Sequence, residues 1–182
     1  MKHRIIKAFV NYKKEEDWLN KMSQKGLHMV DYFWFVYLFE EGMPGEYIYR
    51  LELMENVPSH PGSAAYLRFM EENGVECVST WMRWVYFRKK ASEGSFEIYS
   101  DREGKIRHAK RVIGLMLALF ILNFGCALSN LGLGLDYLKE GFVGFNAYFS
   151  TLNFIVAVIL LTIIVAQVRI INRLKKDAGI RE

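Results

Sequence analysis

Two long uncharged stretches dominate the second half of the chain. The first runs from Val112 to Leu135 and the second from Phe145 to Val168. At a rise of about 1.5 Å per residue, each stretch covers a hydrocarbon layer of ~30 Å. A chain of 182 residues is too small to bury both stretches inside a soluble core. The pattern predicts transmembrane helices over 112–135 and 145–168, joined by a short extracytoplasmic loop over 136–144.

The first 104 residues alternate between strand-like and helix-like patterns. IIKAFVNY, LHMVDYFWFVYLF, YIYRLELME and VECVSTWMRWVYFRKK have the composition of strands, and SFEIYSD adds a short final strand. KKEEDWLNKMSQKG and SAAYLRFMEENG place apolar residues at helical spacing and end at Gly26 and Gly74. This order predicts an α+β head over residues 1–104, with a ferredoxin-like β-α-β-β-α-β pattern plus an extra strand. No internal repeat is visible in the sequence.

The run TWMRWVYFRKK, residues 80–90, is rich in aromatic and basic side chains. Read as one strand, it places apolar residues on both faces of the sheet, with Trp84 and Tyr86 on one face and Val85 and Phe87 on the other. A sheet that is apolar on both faces needs a cover on each. The cover on the face away from the helices is a second copy of the chain, a partner protein, the membrane surface or a ligand.

Charge is distributed unevenly between the two halves. Residues 1–104 carry 14 basic and 16 acidic side chains, whereas residues 105–182 carry 10 basic and 4 acidic ones. The basic residues flank the apolar stretches, in a stalk over 105–111 and a tail over 169–182. By the positive-inside rule, both termini lie in the cytoplasm and the protein is integral to the cytoplasmic membrane, with the lipid bilayer as a partner. The slightly acidic head argues against nucleic-acid binding.

A few polar and small residues interrupt the apolar stretches. Asn123 and Asn130 are expected to form hydrogen bonds across the helix pair. Gly125 and Ser129 form a small-xxx-small pair that allows close helix packing. Packing between the two predicted helices is the favoured interpretation, and self-association or docking on another membrane protein is the alternative.

The candidate chemistry of the head consists of three cations. If the strands keep their alternation, Lys7, Arg50 and Arg83 share the open face of the sheet, where they could bind a carboxylate or phosphate group. The favoured alternative is that acids such as Glu52 neutralise them. The acidic residues Glu15, Glu16 and Asp17 open the first predicted helix, where capping is a more common role than acid–base catalysis.

Other reactive patterns are weak. The sequence contains no nucleophile elbow, phosphate-binding glycine loop or zinc-binding histidine pair, so no enzyme activity, metal or cofactor is expected. Cys77 and Cys126 are interpreted as small buried apolar residues.

Three stretches of the head resemble a bacterial membrane-protein family known only as a domain of unknown function. They are FVNYKKEEDWLNKMSQKG at 9–26, PGEYIYRLELME at 44–55, and the segment from WVYFRKK to FEIYSD at 84–101. Members of that family are commonly encoded beside PadR-type transcription regulators, so the resemblance implies a role in signalling or stress response. It implies no activity and no site residues.

Two functional hypotheses follow. The first is a membrane-anchored cytoplasmic module that binds a protein partner, forms a homo-oligomer or holds a small ligand. The second is an accessory subunit of a transporter or permease. An enzyme acting at the membrane surface is the weakest alternative, because it would need a cleft with a strongly perturbed ionisable group.

Overall fold

The computed structural model describes residues 1–139 and 144–179. The chain divides into two compact units, Met1–Gly104 and Lys105–Glu182. We refer to the first unit as the head and to the second as the helical unit.

The head contains six strands, two helices and one 3-10 turn. In chain order they are β1 (Lys2–Ile6), α1 (Tyr12–Gln24), β2 (Leu27–Phe33), β3 (Val36–Glu41), β4 (Tyr47–Leu53), α2 (Pro61–Glu72), β5 (Glu76–Trp81), β6 (Trp84–Lys90) and the turn Ala91–Glu93. The helical unit contains α3 and α4, whose bounds are Arg102–Lys139 and Phe145–Gly179.

The strands form two antiparallel three-stranded sheets, ordered β1-β3-β2 and β4-β6-β5. The predicted α+β class is confirmed, but the ferredoxin-like arrangement is not. Each long aromatic run folds back on itself as a hairpin instead of forming one strand, with turns at Trp34–Phe35 and Met82–Arg83. The predicted final strand over 95–101 is not a strand, and its Phe96 is buried in the core.

The head is an internal structural repeat of the unit βαββ. His28 lies opposite Glu40 in the first copy, and Glu76 lies opposite Arg88 at positions 48 residues later in the second. Both β2–β3 and β5–β6 carry a register shift at equivalent positions, between Met29 and Asp31 and between Cys77 and Ser79. The two copies share few residue identities, which is why the repeat escaped sequence analysis.

Equivalent glycines end the two head helices. Gly26 and Gly74 both follow the last helical turn with φ near +76°, in the left-handed region that favours glycine. A Cβ on Gly26 would also approach the Gly42 carbonyl oxygen to 2.7 Å. These glycines set the direction in which the chain enters each hairpin.

The head core covers both faces of β6. Tyr86 packs with Leu19 of α1 and with Tyr37 and Phe39 of the first sheet. The opposite face of β6, formed by residues 85 and 87, packs against α2 and Phe96. Both faces of the doubly apolar strand are therefore covered from within the chain, so an external cover is not needed there.

Polar side chains of α1 satisfy the backbone of β4, an edge strand of the second sheet. They stand at i, i+4 and i+7 on one helix face, and their partners alternate along the strand. The hydrogen bonds join Glu16 to Leu51 (2.9 Å), Asn20 to Tyr49 (2.8 and 3.2 Å) and Ser23 to Tyr47 (2.7 Å). We refer to these three side chains as the α1 polar stripe.

Helices α3 and α4 are long and apolar enough to span a membrane, over Arg102–Leu135 and Phe145–Asp177. They pack as an antiparallel pair. The Ser150 hydroxyl donates to the Ala127 carbonyl (2.9 Å), and a Cβ on Gly134 would lie 3.2 Å from the Ala147 nitrogen. Helix α3 includes the predicted stalk and extends through Lys139 of the predicted loop, and residues 140–143 lie outside the described part of the chain.

Two predictions about the interior of the helix pair are wrong. Asn123 and Asn130 donate to carbonyls of their own helix, four residues earlier, rather than across the pair. Gly125 and Ser129 are exposed, and a Cβ on Gly125 would meet no atom within 4 Å. The small-xxx-small pair therefore lies away from the α3–α4 contact.

Candidate functional site

The two hairpin turns of the head carry large apolar residues in unusual backbone conformations. Trp34, Phe35 and Met82 have φ values of 43°, 65° and 54°. Two-residue hairpin turns normally place glycine or asparagine at such positions, because other side chains incur a cost of about 1 kcal/mol or more. The same departure occurs in both copies of the βαββ unit.

The apolar side chains at these turns are exposed to solvent. Trp34 is 59% exposed and Met82 is 75% exposed. Exposed large apolar groups that gather in one patch are uncommon on soluble surfaces and mark binding sites. The turns therefore combine backbone strain with apolar exposure.

Contacts between aromatic rings join the two turns into one surface. The ring centroids of Phe33 and Trp81 are 5.2 Å apart, and those of Trp34 and Trp81 are 5.4 Å apart, both in edge-to-face arrangements. Below them, the Ser79 hydroxyl donates to the Asp31 carboxylate (3.0 Å) and ties β5 to β2. We refer to the surface formed by Phe33, Trp34, Phe35, Trp81 and Met82 as the aromatic tip.

Two cations border the aromatic tip. The Lys7 backbone N–H donates to the Phe35 carbonyl (2.8 Å), and its ammonium lies 4.9 Å from the Trp18 ring centroid. Arg83 follows Met82 in the second turn, and its Nε donates to the Met54 carbonyl (2.9 Å). Among the described residues, neither cation forms an ion pair with a carboxylate.

The third predicted cation has a different environment. Arg50 on β4 donates to Glu97 (3.1 Å) and to the Tyr49 carbonyl (2.9 Å). Arg83 instead bonds to the carbonyl of Met54. Met54 lies four residues after Arg50, and four residues of extended chain span about 13 Å. The three cations therefore contact different groups: Lys7 contacts aromatic rings, Arg50 contacts Glu97 and Arg83 contacts the Met54 carbonyl. Only Lys7 and Arg83 lie beside the aromatic tip. The three-cation anion site stays a prediction.

Glu15 occupies a buried cluster of hydroxyl groups. The phenols of Tyr37 and Tyr86 donate to the same Glu15 oxygen, at 2.6 and 2.7 Å. Burial raises the pKa of Glu15 above its usual value, and the two phenol hydrogen bonds oppose this in part. Burial, followed by the Glu15 charge, raises the pKa of both tyrosines.

The buried acids have structural roles that the sequence analysis did not predict. The helix cap is Asn11, whose side chain accepts the Lys13 N–H (2.9 Å), so the side chains of Glu15 and Glu16 are free to enter the core. In the second copy, Glu52 accepts hydrogen bonds from the phenols of Tyr66 and Tyr99. These bonds link the carboxylates to neighbouring elements of the head. The signal for these structural roles was present in the sequence. Polar residues recur every third or fourth position on α1, on the side of the helix that also carries Leu19.

The two cysteines have different surroundings: Cys77 is partly buried, whereas Cys126 is exposed on α3, so the prediction that it is packed is wrong. Burial raises the pKa of the Cys77 thiol to about 11, which keeps it protonated at neutral pH. No cluster of three metal-binding side chains occurs among the residues that the structure describes.

Comparison with protein-family models identifies a family that includes this chain. A family model described as a protein of unknown function, DUF2812, matches residues 11–121, which include most of the head and the start of α3. No curated protein and no solved structure matches the chain.

Proposed function

Because the chain belongs to the DUF2812 family of proteins of unknown function, we propose its role from its own structure: a membrane-anchored, non-enzymatic binding module. In this proposal α3 and α4 hold the chain in the cytoplasmic membrane, and the cytoplasmic head presents the aromatic tip as its binding surface. The observation that carries the proposal is the exposure of the aromatic tip at two strained turns. Strain of this kind persists where function requires it.

The helical unit supports the anchoring role. Leucine, isoleucine and phenylalanine side chains stay exposed along both helices, for example Ile121 at 61% and Leu122 at 65%. Such surfaces are favourable in lipid and costly in water. The basic residues at 105–111 and 169–176 support a cytoplasmic location for both flanks.

The polar interior of the head supports a role in binding rather than catalysis. Glu15 and Glu52 each accept two hydrogen bonds from neighbouring elements of the head. Glu16 accepts one from the Leu51 N–H of β4 and a second from Lys13 of its own helix. A catalytic acid or base must reach a substrate atom directly or through one water molecule. These carboxylates instead bond to groups of their own fold.

Photo-crosslinking in native membranes tests the binding role. A photoreactive residue at Met82 is expected to give abundant adducts with a protein or lipid. The matched control is the same residue at Phe69, an exposed apolar position on α2. Equal adduct yields at the two positions would contradict the proposal. A PadR-type regulator is the protein partner that the family resemblance implies.

The proposed orientation has its own test. Single cysteines at Ser92 in the head and within loop 136–144, in a chain lacking Cys77 and Cys126, are labelled on intact cells with a membrane-impermeant maleimide. We expect labelling only in the loop. Labelling at Ser92 would refute the cytoplasmic location of the head.

A second candidate function is an accessory subunit of a membrane complex. It is favoured by Gly125 and Ser129, whose small side chains lie on a face of α3 that α4 does not cover. Gly125→Ile with Ser129→Ile should break a larger detergent-solubilised complex. Leu131→Phe, an enlargement at an exposed position on another face of α3, is the control. A complex of unchanged size would remove this candidate.

A further inference from the structure

The aromatic tip has the side-chain chemistry of a membrane-interface anchor. Tryptophan and phenylalanine beside lysine and arginine are typical of the boundary between lipid headgroups and acyl chains. Tryptophan suits this layer because it joins a large apolar ring to one N–H donor. The tip brings Trp34 and Trp81 together, with Lys7 and Arg83 at its border.

The charges of the bordering cations remain available. The Lys7 ammonium lies over the rings of Phe9 and Trp18, at 5.0 and 4.9 Å, and Arg83 uses its Nε on a backbone carbonyl. Neither contact neutralises a positive charge, so both cations complement an anionic surface. Each basic residue near an anionic membrane surface increases the affinity of the protein for that surface about fivefold.

Only a short segment of the chain separates the head from the predicted membrane-spanning residues. Tyr99 is hydrogen-bonded within the head, and the uncharged run begins at Val112. The helical residues between Arg102 and Arg111 span about 15 Å. A tether of this length gives the membrane a high effective concentration at the head, so a weak contact is sufficient for docking.

From these observations, we propose that the aromatic tip inserts into the headgroup layer of an anionic bilayer and docks the head on the membrane that holds its helices. This inference rests on the proposed function and names the occupant of its binding surface. Trp34, Trp81 and Met82 enter the interface, and Lys7 and Arg83 contact lipid phosphates. A protein bound at the tip in place of lipid is the competing outcome.

Quenching of tryptophan fluorescence by brominated lipids tests the inference on the full chain. The protein is placed in nanodiscs of phosphatidylcholine, with or without 30% phosphatidylglycerol, whose acyl chains carry bromine near the headgroup. We expect stronger quenching in the anionic discs. Trp34→Phe with Trp81→Phe should remove most of that excess, because Trp18 and Trp84 lie outside the tip.

Charge variants and a matched surface variant complete the test. Lys7→Gln with Arg83→Gln keeps all four tryptophans and should reduce the excess quenching severalfold. Phe69→Ser, an exposed apolar change on α2, should leave it unchanged. Equal quenching in neutral and anionic discs, or excess quenching that survives in Trp34→Phe/Trp81→Phe, would overturn the inference. If quenching is absent and Met82 crosslinks to a protein, the inference fails while the proposed binding role stands.

Discussion

The two βαββ copies of the head share a backbone plan but differ in what their helices do. Helix α1 contributes to a core shared by both sheets, and its polar stripe bonds to a strand of the other copy. Helix α2 packs on one face of its own sheet. At positions equivalent to Glu16, Asn20 and Ser23, 48 residues later, α2 has Ala64, Arg68 and Glu71. The register of the strands is thus common to both copies, whereas only one of the two helices, α1, helps to join the copies, alongside the contact between β2 and β5.

The largest expected effect is a difference in stability between variants of two equivalent leucines, one in each head helix. Leu19 is fully buried in the shared core, and Leu67, its counterpart, is only partly buried. Leu19→Ala should lower the free energy of unfolding of the head by about 2–5 kcal/mol. Leu67→Ala should cost less than half of that. Chemical unfolding in detergent, followed by near-ultraviolet circular dichroism of the head aromatics, measures the difference. Equal losses would show that α2 contributes as much as α1.

The next effect tests the α1 polar stripe. Glu16→Ala gives α1 the residue that α2 carries at the equivalent position and leaves the Leu51 N–H without its acceptor. An unsatisfied buried donor costs about 1–3 kcal/mol. Asp17→Ala, an exposed acid one position away, should change the stability by less than about 0.5 kcal/mol. Similar melting temperatures for the two variants in a thermal scan would contradict the joining role of α1.

A smaller effect concerns the pH dependence of the first copy. The pKa of Glu15 is raised in the folded state, mainly by burial. Folding then favours the protonated carboxyl, so the Glu15 contribution is fully present below its unfolded pKa of 4.5 and is lost as pH rises through the folded value. Glu15→Gln should remove this loss and flatten the decline of the melting temperature as pH rises above 4.5. Ser63, the equivalent residue of α2, has no titrating side chain, so Ser63→Ala should leave the pH profile of the wild-type chain unchanged. A Glu15→Gln profile parallel to wild type would refute the assignment.

The smallest expected effect is a gain in stability at the turns. Trp34→Asn with Phe35→Gly supplies the residues that two-residue hairpin turns favour, and should stabilise the head by roughly 1 kcal/mol. Met82→Gly should give a smaller gain, because the second turn has one positive-φ residue against two in the first. Both changes should reduce the excess lipid quenching. A loss of stability would mean that the apolar turn residues support the fold as well as the aromatic tip.

Sequence reasoning predicted the features that depend on composition and periodicity. The apolar stretches, both head helices and their terminal glycines were predicted, because a run of uncharged residues and a helical period are local signals. The two hairpins were missed because Trp34, Phe35 and Met82 occupy turn positions where glycine or asparagine is the usual signal. The fold therefore departs from the sequence pattern at the same residues that form the candidate site.

The missed repeat and the misplaced small-residue pair have different causes. The two βαββ copies agree in register and in the position of a bulge, which are properties of pairing between strands and leave little trace in one sequence. Gly125 and Ser129 predicted a close contact between α3 and α4 that the structure does not show, because small-residue spacing alone does not indicate which face of a helix is packed. Two of the three predicted cations border the aromatic tip. Lys7 does so through its bond to Phe35, and Arg83 does so because it lies in the β5–β6 turn rather than within a strand.

The polar stripe of α1 also limits how other chains can approach the head. An open sheet edge is a template for an added strand, by which many domains capture extended peptides. Here β4 is bonded by the stripe, and β2 lies beside β5 with Ser79 between them. The remaining edge, β1, has five residues and bears Lys2 and Arg4, charges that discourage strand addition. A ligand of this head must therefore recognise side chains rather than extend a sheet.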